Sequence, residues 1–187
     1  MKRFIDESWL VLVMGVVFAL LLAGTQQAMM PKIQANQEAE LAEAITHVVP
    51  GTETFEAVDI EGVEAYRCKD ESGELVGWAV VGEGPGFIDT IRLVAGLSPD
   101  KGTVLAIKVI QHLETPGLGN KIESVPGNDF PLQFNDKPTG EELKVVKTPP
   151  KADNEIKAIT GATYSSGYVT DIVNQIMLEL GPQLPAE

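Results

Sequence analysis

The chain has 187 residues, 44 % hydrophobic and 22 % charged, which is a globular composition with room for one domain and a short extra segment. Its formal net charge of −13 excludes a nucleic-acid binder, because phosphate backbones demand clustered Lys and Arg. One cysteine, Cys68, and two histidines, His47 and His112, exclude an intrachain disulfide and a Cys-rich zinc or iron–sulfur centre, so any redox chemistry needs an organic cofactor.

From Trp9 to Ala23 every residue is apolar or small, and the uncharged stretch continues through Gly24, Thr25, Gln26 and Gln27 to Met30. That is long enough for a helix across the hydrocarbon core, with Trp9 at an interfacial position. Lys2 and Arg3 precede it, so the positive-inside rule keeps the N-terminus in the cytoplasm and sends the rest outside. A cleaved secretory signal shares these features, but no Ala-x-Ala site follows the apolar run, and Thr25 stands where a lipoprotein signal needs Cys. The expectation is an uncleaved single-pass anchor in the plasma (inner) membrane over residues 1–31 and an extracytoplasmic domain over residues 32–187.

Between Lys32 and Val49, apolar residues Leu41, Ile45, Val48 and Val49 fall at helical spacing, and Pro50-Gly51 closes the helix. Strand-like runs follow over Val63 to Lys69, Glu74 to Val81, Phe87 to Leu97, Val104 to Gln111 and, more weakly, Leu143 to Lys147. Ser72-Gly73 and Asp100-Lys101-Gly102 have hairpin-turn composition, which predicts antiparallel pairing because such short connections cannot hold a crossover helix. Cys68 and Trp78 read as buried strand residues. The stretch Glu123 to Gly140 reads as a packed loop because it holds Phe130, Leu132 and Phe134. At the end of the chain Val169, Ile172, Val173, Ile176, Met177 and Leu180 trace one face of a helix stopped by Gly181-Pro182. Helices at both ends of a meander define an α+β domain, an antiparallel sheet flanked by helices.

Two segments carry potential chemistry. Thr160-Gly161-Ala162-Thr163-Tyr164-Ser165-Ser166 puts five side-chain hydroxyls in seven positions just before the terminal helix. Gly161 and Ala162 allow a ligand close to the backbone, and Ser165 and Ser166 are good N-cap residues, so a phosphate here would meet free amides and the positive end of a helix dipole. A plain strand-to-helix turn with a capping serine accounts for the same residues. Glu114-Thr115-Pro116-Gly117-Leu118-Gly119 is a tight loop directly after a strand, lacking the third glycine of a dinucleotide fingerprint and the Gly-Lys-Ser/Thr of a P-loop. Gly82-Glu83-Gly84-Pro85-Gly86 reads as a turn with at most a supporting role at a ligand. His112 and Glu114, two apart, would share one side of a continued strand, yet no third ligand stands near and an ordinary hydrogen-bonded His is the simpler reading.

Together, the N-terminal anchor, the Glu-Thr-Pro-Gly-Leu-Gly loop and the Thr-Gly-Ala-Thr-x-Ser-Ser motif resemble the G subunit of the Rnf electron-transport complex, related to the C subunit of the sodium-translocating NADH:quinone oxidoreductase. The resemblance covers essentially the whole chain. It implies FMN esterified through its phosphate to Thr163 by a flavin transferase, with Thr160, Gly161 and Ala162 as the recognition segment. It also implies Ser165 and Ser166 beside the phosphate, with Tyr164 in the same segment, and the loop Glu114, Thr115, Pro116, Gly117, Leu118 and Gly119 against the flavin. The family usually has Asp six residues before the modified Thr; Lys157 occupies that place here. The implied role is an electron-carrier subunit, not catalytic alone and holding no metal, among other membrane subunits of an ion-translocating ferredoxin:NAD oxidoreductase. Glu114 is the charge expected to tune the flavin. The alternatives are a stand-alone anchored flavodomain and a cofactor-free tethered binding or scaffold domain.

Overall fold

A computed structural model describes residues 2–123 and 129–185, with side chains from Trp9 onward. The chain forms two compact units, one reaching to Glu40 and the other Leu41–Glu187. Helix α1 (Lys2–Val48) starts the chain and includes Pro31, so the helix expected after residue 32 is its continuation. Leu10, Leu12, Val16, Phe18, Leu20 and Leu22 all stand exposed around it. The stretch from Trp9 is long and apolar enough to cross a membrane.

The second unit is built on a six-stranded antiparallel meander in sequential order: β1 (Thr54–Ile60), β2 (Val63–Lys69), β3 (Leu75–Pro85), β4 (Thr90–Leu97), β5 (Thr103–Gln111) and β6 (Lys137–Pro138). Expected turns at Ser72-Gly73 and Asp100-Gly102 join β2 to β3 and β4 to β5. Strand β1 is an addition to the expected elements: its residues are mostly exposed, so it lacks the apolar alternation by which strands are read. Strand β3 runs four residues further than expected. Gly82-Glu83-Gly84-Pro85 pairs with Leu93-Arg92-Ile91-Thr90, and the turn is Gly86–Asp89 instead.

Alternation along the strands splits the core in two. Trp78, Val80, Leu93, Ala95 and Leu97 face one side, and Cys68, Ala79, Val81 and Val94 face the other. Both faces are covered, so β3 and β4 carry near-continuous buried runs although the sheet is antiparallel. The second face receives Ala44, Ile45, Val48 and Val49 from the end of α1, which comes so close that a Cβ on Gly96 would lie 2.0 Å from the Val48 carbonyl oxygen. The first face receives α2 (Thr163–Gln175), whose Val169, Ile172 and Val173 are buried as the periodicity predicts; a π-helical turn Ile176–Leu180 and a 3-10 turn Gly181–Gln183 follow it. Gly82 and Gly84 make room for α2: a Cβ at either would meet Ile172 at 2.7–2.8 Å.

Of the loop expected over residues 123–140, residues 124–128 lie outside the described residues. Phe130 and Phe134 are buried edge-to-face at 5.5 Å, as expected, while Leu132 is 54 % exposed. The weak strand becomes β7 (Lys144–Val146), which pairs in parallel with an unforeseen β8 (Glu155–Lys157). Three-residue strands carry too little pattern to be read in advance. Asn174 of α2 docks this pair through hydrogen bonds to the Leu143 amide (2.8 Å) and carbonyl (2.9 Å).

Candidate functional site

Both motif segments meet at one end of the sheet. After β5 the chain leaves its strand at Gln111, and residues 112–118 form a loop that a 3-10 turn, Gly119–Ile122, closes. The amides of Leu118 and Asn120 donate to the Thr115 carbonyl, and the Gly117 amide donates to Asn120 Oδ1 at 2.7 Å, so the loop is held by its own short-range bonds. Facing it, Gly161 takes a positive φ of 86°, which an L side chain rarely adopts, and turns the chain into α2. The cleft between them is about 110 Å³ and is lined by Phe87, Glu114, Thr115, Leu118, Gly119, Gly161, Ala162, Thr163, Tyr164 and Ser165.

Of the site residues expected from sequence, Thr160, Pro116, Gly117 and Ser166 do not line this cleft. Thr160, Pro116 and Gly117 are exposed at its edges. Ser166 is buried beneath it, where its Oγ accepts from the Ile159 amide (3.0 Å) and donates to the Ala162 carbonyl (2.9 Å). The expected capping serines are therefore not N-caps. Helix α2 already begins at Thr163, Ala162 is the N-cap residue without a side-chain bond, and both serines lie inside the first turn. This start brings Thr163 itself to the helix N-terminus, where first-turn amides have no partner within the helix and the dipole favours an anion.

Glu114 is 4 % exposed, and neither carboxylate oxygen is idle. Oε1 accepts from the amides of Phe87 (2.7 Å) and Ile88 (3.3 Å), and Oε2 accepts from Ser165 Oγ at 2.6 Å. Gly119 has to be glycine here, since a Cβ would lie 2.6 Å from Glu114 Oε2 and 2.9 Å from Ser165 Oγ. Leaving the strand also separates His112 from a shared ligand face. Its Nδ1 accepts from the Glu114 amide at 3.0 Å and its Nε2 lies 2.9 Å from Glu123, the hydrogen-bonded arrangement the sequence favours. Lys157, on β8, has its backbone bonded both ways to the Gln133 side chain and does not line the cleft. Phe87 joins the site without having been expected there. The only signal for it in the sequence is an aromatic directly after a glycine-rich run.

Residues 86–177, which contain both motif segments, match the family model of the FMN-binding domain, and this defines the class of protein. The chain is 35 % identical to the G subunit of the ion-translocating oxidoreductase complex of Methanosarcina acetivorans, over 87 % of this chain and 86 % of the relative. It is 36 % identical to the G subunit of the Na(+)-translocating ferredoxin:NAD(+) oxidoreductase complex of Acetobacterium woodii, over 81 % and 76 %. It belongs to the family of G subunits of the ion-translocating oxidoreductase complexes. The crystal structure of Shewanella oneidensis NqrC shares the fold at a TM-score of 0.52 and 19 % identity, over 70 % of this chain and 66 % of that one. The C subunit of the Na(+)-translocating NADH-quinone reductase from Parabacteroides distasonis does so at 0.53 and 20 %, over 67 % and 63 %.

Proposed function

We propose that this chain is an electron-carrying flavoprotein subunit of an ion-translocating ferredoxin:NAD oxidoreductase complex, with FMN joined by a phosphoester to Thr163. The observation that carries the reading is the placement of Thr163, at the first turn of α2 and in the cleft shared by the two motif loops. A phosphoester there would lie against first-turn amides and the positive end of the helix, which is where a phosphate is stabilised. The cleft residues suit the cofactor: Leu118, Phe87 and Tyr164 offer apolar contact, and Glu114 is engaged in holding the walls together. When bound, FMN supplies the electron-accepting and electron-donating chemistry. The chain's own residues tether it, orient it and shield one side of it from water. No side chain needs to move a proton as an acid or base.

The anchor is residues 1–31 and the working domain residues 32–187, on the extracytoplasmic side of the plasma membrane, as Lys2 and Arg3 before the apolar run favour. The partners are the other membrane subunits of the complex and, during maturation, a flavin transferase. The test is intact mass and in-gel flavin fluorescence after coexpression with such a transferase, for the wild type and Thr163→Val. A mass increase matching FMN that vanishes in the variant is expected. An unmodified wild type sinks the covalent assignment.

A further inference from the structure

Positive charge is scarce in this chain, with 14 Lys and Arg against 27 Asp and Glu, and it is not spread evenly. Lys144, Lys147, Lys151 and Lys157 fall on and between β7 and β8, and residues 144–157 hold Asp153 and Glu155 as their only acids. All four lysines are exposed, and no ion pair among the described residues holds any of them. Elsewhere lysines meet carboxylates: Lys69 pairs with Glu56 and Lys108 with Glu43, both at 2.8 Å.

The two strands give this charge a fixed face. Ile156 is fully buried, so by alternation Glu155 and Lys157 point outward, and Lys144, paired with Glu155, points out beside them. Both edges of β8 are held. Toward β7, the Lys144 amide donates to the Asn154 carbonyl and the Ala158 amide to the Val146 carbonyl, each at 2.8 Å. On the other edge the Gln133 side chain takes the place of a third strand: its Oε1 accepts from the Lys157 amide (2.8 Å) and its Nε2 donates to the Lys157 carbonyl (3.1 Å). Six residues after Lys157 comes Thr163. Downstream of Thr163 the chain turns into α2, whose Ser165, Ser166 and Val169 are buried; upstream lies this exposed, pinned pair of strands. An enzyme that acts on Thr163 has to be oriented as well as bound. The net charge of the chain repels a negative surface while the lysine face attracts one, so an acidic partner is steered to this side.

We propose that the lysine face of β7 and β8 is a docking surface for the flavin transferase, received by an acidic patch on that enzyme. This rests on the flavin reading above. The test uses the full chain in detergent, comparing the wild type, the triple variant Lys144→Gln, Lys147→Gln, Lys151→Gln, and a control with the same change in charge, Lys32→Gln, Lys69→Gln, Lys108→Gln. Transferase binding is measured with Thr163→Val added to each, so that it does not depend on ester formation; the rate of mass gain is followed with Thr163 in place. Binding is expected to weaken as salt rises, and the lysine-face variant to bind about tenfold more weakly with a flatter salt dependence. It should also load more slowly, reach the same final mass and keep the wild-type thermal midpoint. The control should stay close to the wild type. Amine acylation read by mass spectrometry locates the contact, and the transferase is expected to protect Lys147 and Lys151. Unchanged affinity in the lysine-face variant would overturn the proposal, as would an equal loss in the control, which would make net charge and not this face decisive. Protection of the same lysines by anionic lipid nanodiscs, with none by the transferase, would assign the face to lipid and overturn it too. A wild type that gains no mass strikes the parent reading instead, and the binding measurement still decides the docking.

Discussion

At Gly119 two oxygens already occupy the space a side chain would need. A Cβ there meets Glu114 Oε2 and Ser165 Oγ, so Gly119→Ala has to push apart a buried carboxylate–hydroxyl bond of 2.6 Å. Overpacking of this kind costs about 1–3 kcal/mol, and a lower thermal midpoint by calorimetry is the expected result. Asn174 offers a comparison outside the cleft. Asn174→Ala leaves the Leu143 amide and carbonyl without their side-chain partner in a buried position, and unsatisfied groups of this sort cost about 1–3 kcal/mol each. Denaturant unfolding should show the loss with flavin loading unchanged, since Asn174 is not part of the cleft lining. The hydroxyl-rich segment was legible from residue types alone. Its internal roles were not, because Ser165 and Ser166 are identical in sequence terms and only the helix start at Thr163 sends one to Glu114 and the other to Ile159.

Elements meet where glycines let them. On one face Ile172 of α2 and Ile176 just after it press on Gly82 with side-chain methyls; on the other, α1 presses on Gly96 with a backbone carbonyl. Side-chain ends can shift and a backbone cannot without moving its helix. Gly96→Ala is therefore expected to be clearly more destabilising than Gly82→Ala in matched denaturant titrations. The turns carry their own pH dependence. A hydrogen bond from Ser72, then one from the Glu74 amide, lowers the Asp70 carboxyl; Ser98, then the Gly102 amide, does the same for Asp100. A lowered carboxylate favours the fold while ionised, so its contribution is complete above the ordinary value of 3.8 and is lost as pH falls below it. The double variant Asp70→Asn, Asp100→Asn should lose less stability than the wild type between neutral and acid pH, read as a flatter plot of urea midpoint against pH. Strand β5 was legible from its dense apolar run and helix α2 from its one apolar side. Strand β1 was not, and β3 was cut short because its glycines look like a turn until the helix that packs on them is known.

For the molecule as a whole, the division between the two compact units, at Glu40, falls within the span of α1. The turns of α1 after Glu40 bring Ala44, Ile45 and Val48 to the same core as Cys68, whose thiol burial pushes up and shields. A chain starting at Leu41 is expected to be water-soluble, to unfold cooperatively and to leave Cys68 inert to a thiol reagent. One starting at Pro50 should expose that core, react rapidly at Cys68 and aggregate. The Glu114 clamp has a consequence of another kind. Its bonds span 27 residues to Phe87 and 51 to Ser165, and contacts this remote in the chain are paid for in loop-closure entropy that local turns escape. The cleft is thus expected to form late in folding, after the meander is paired and α2 has docked. Under the proposed attachment at Thr163, a transferase that reads the shape around that residue, and not the bare segment, would modify mature chains and pass over those still searching for their fold.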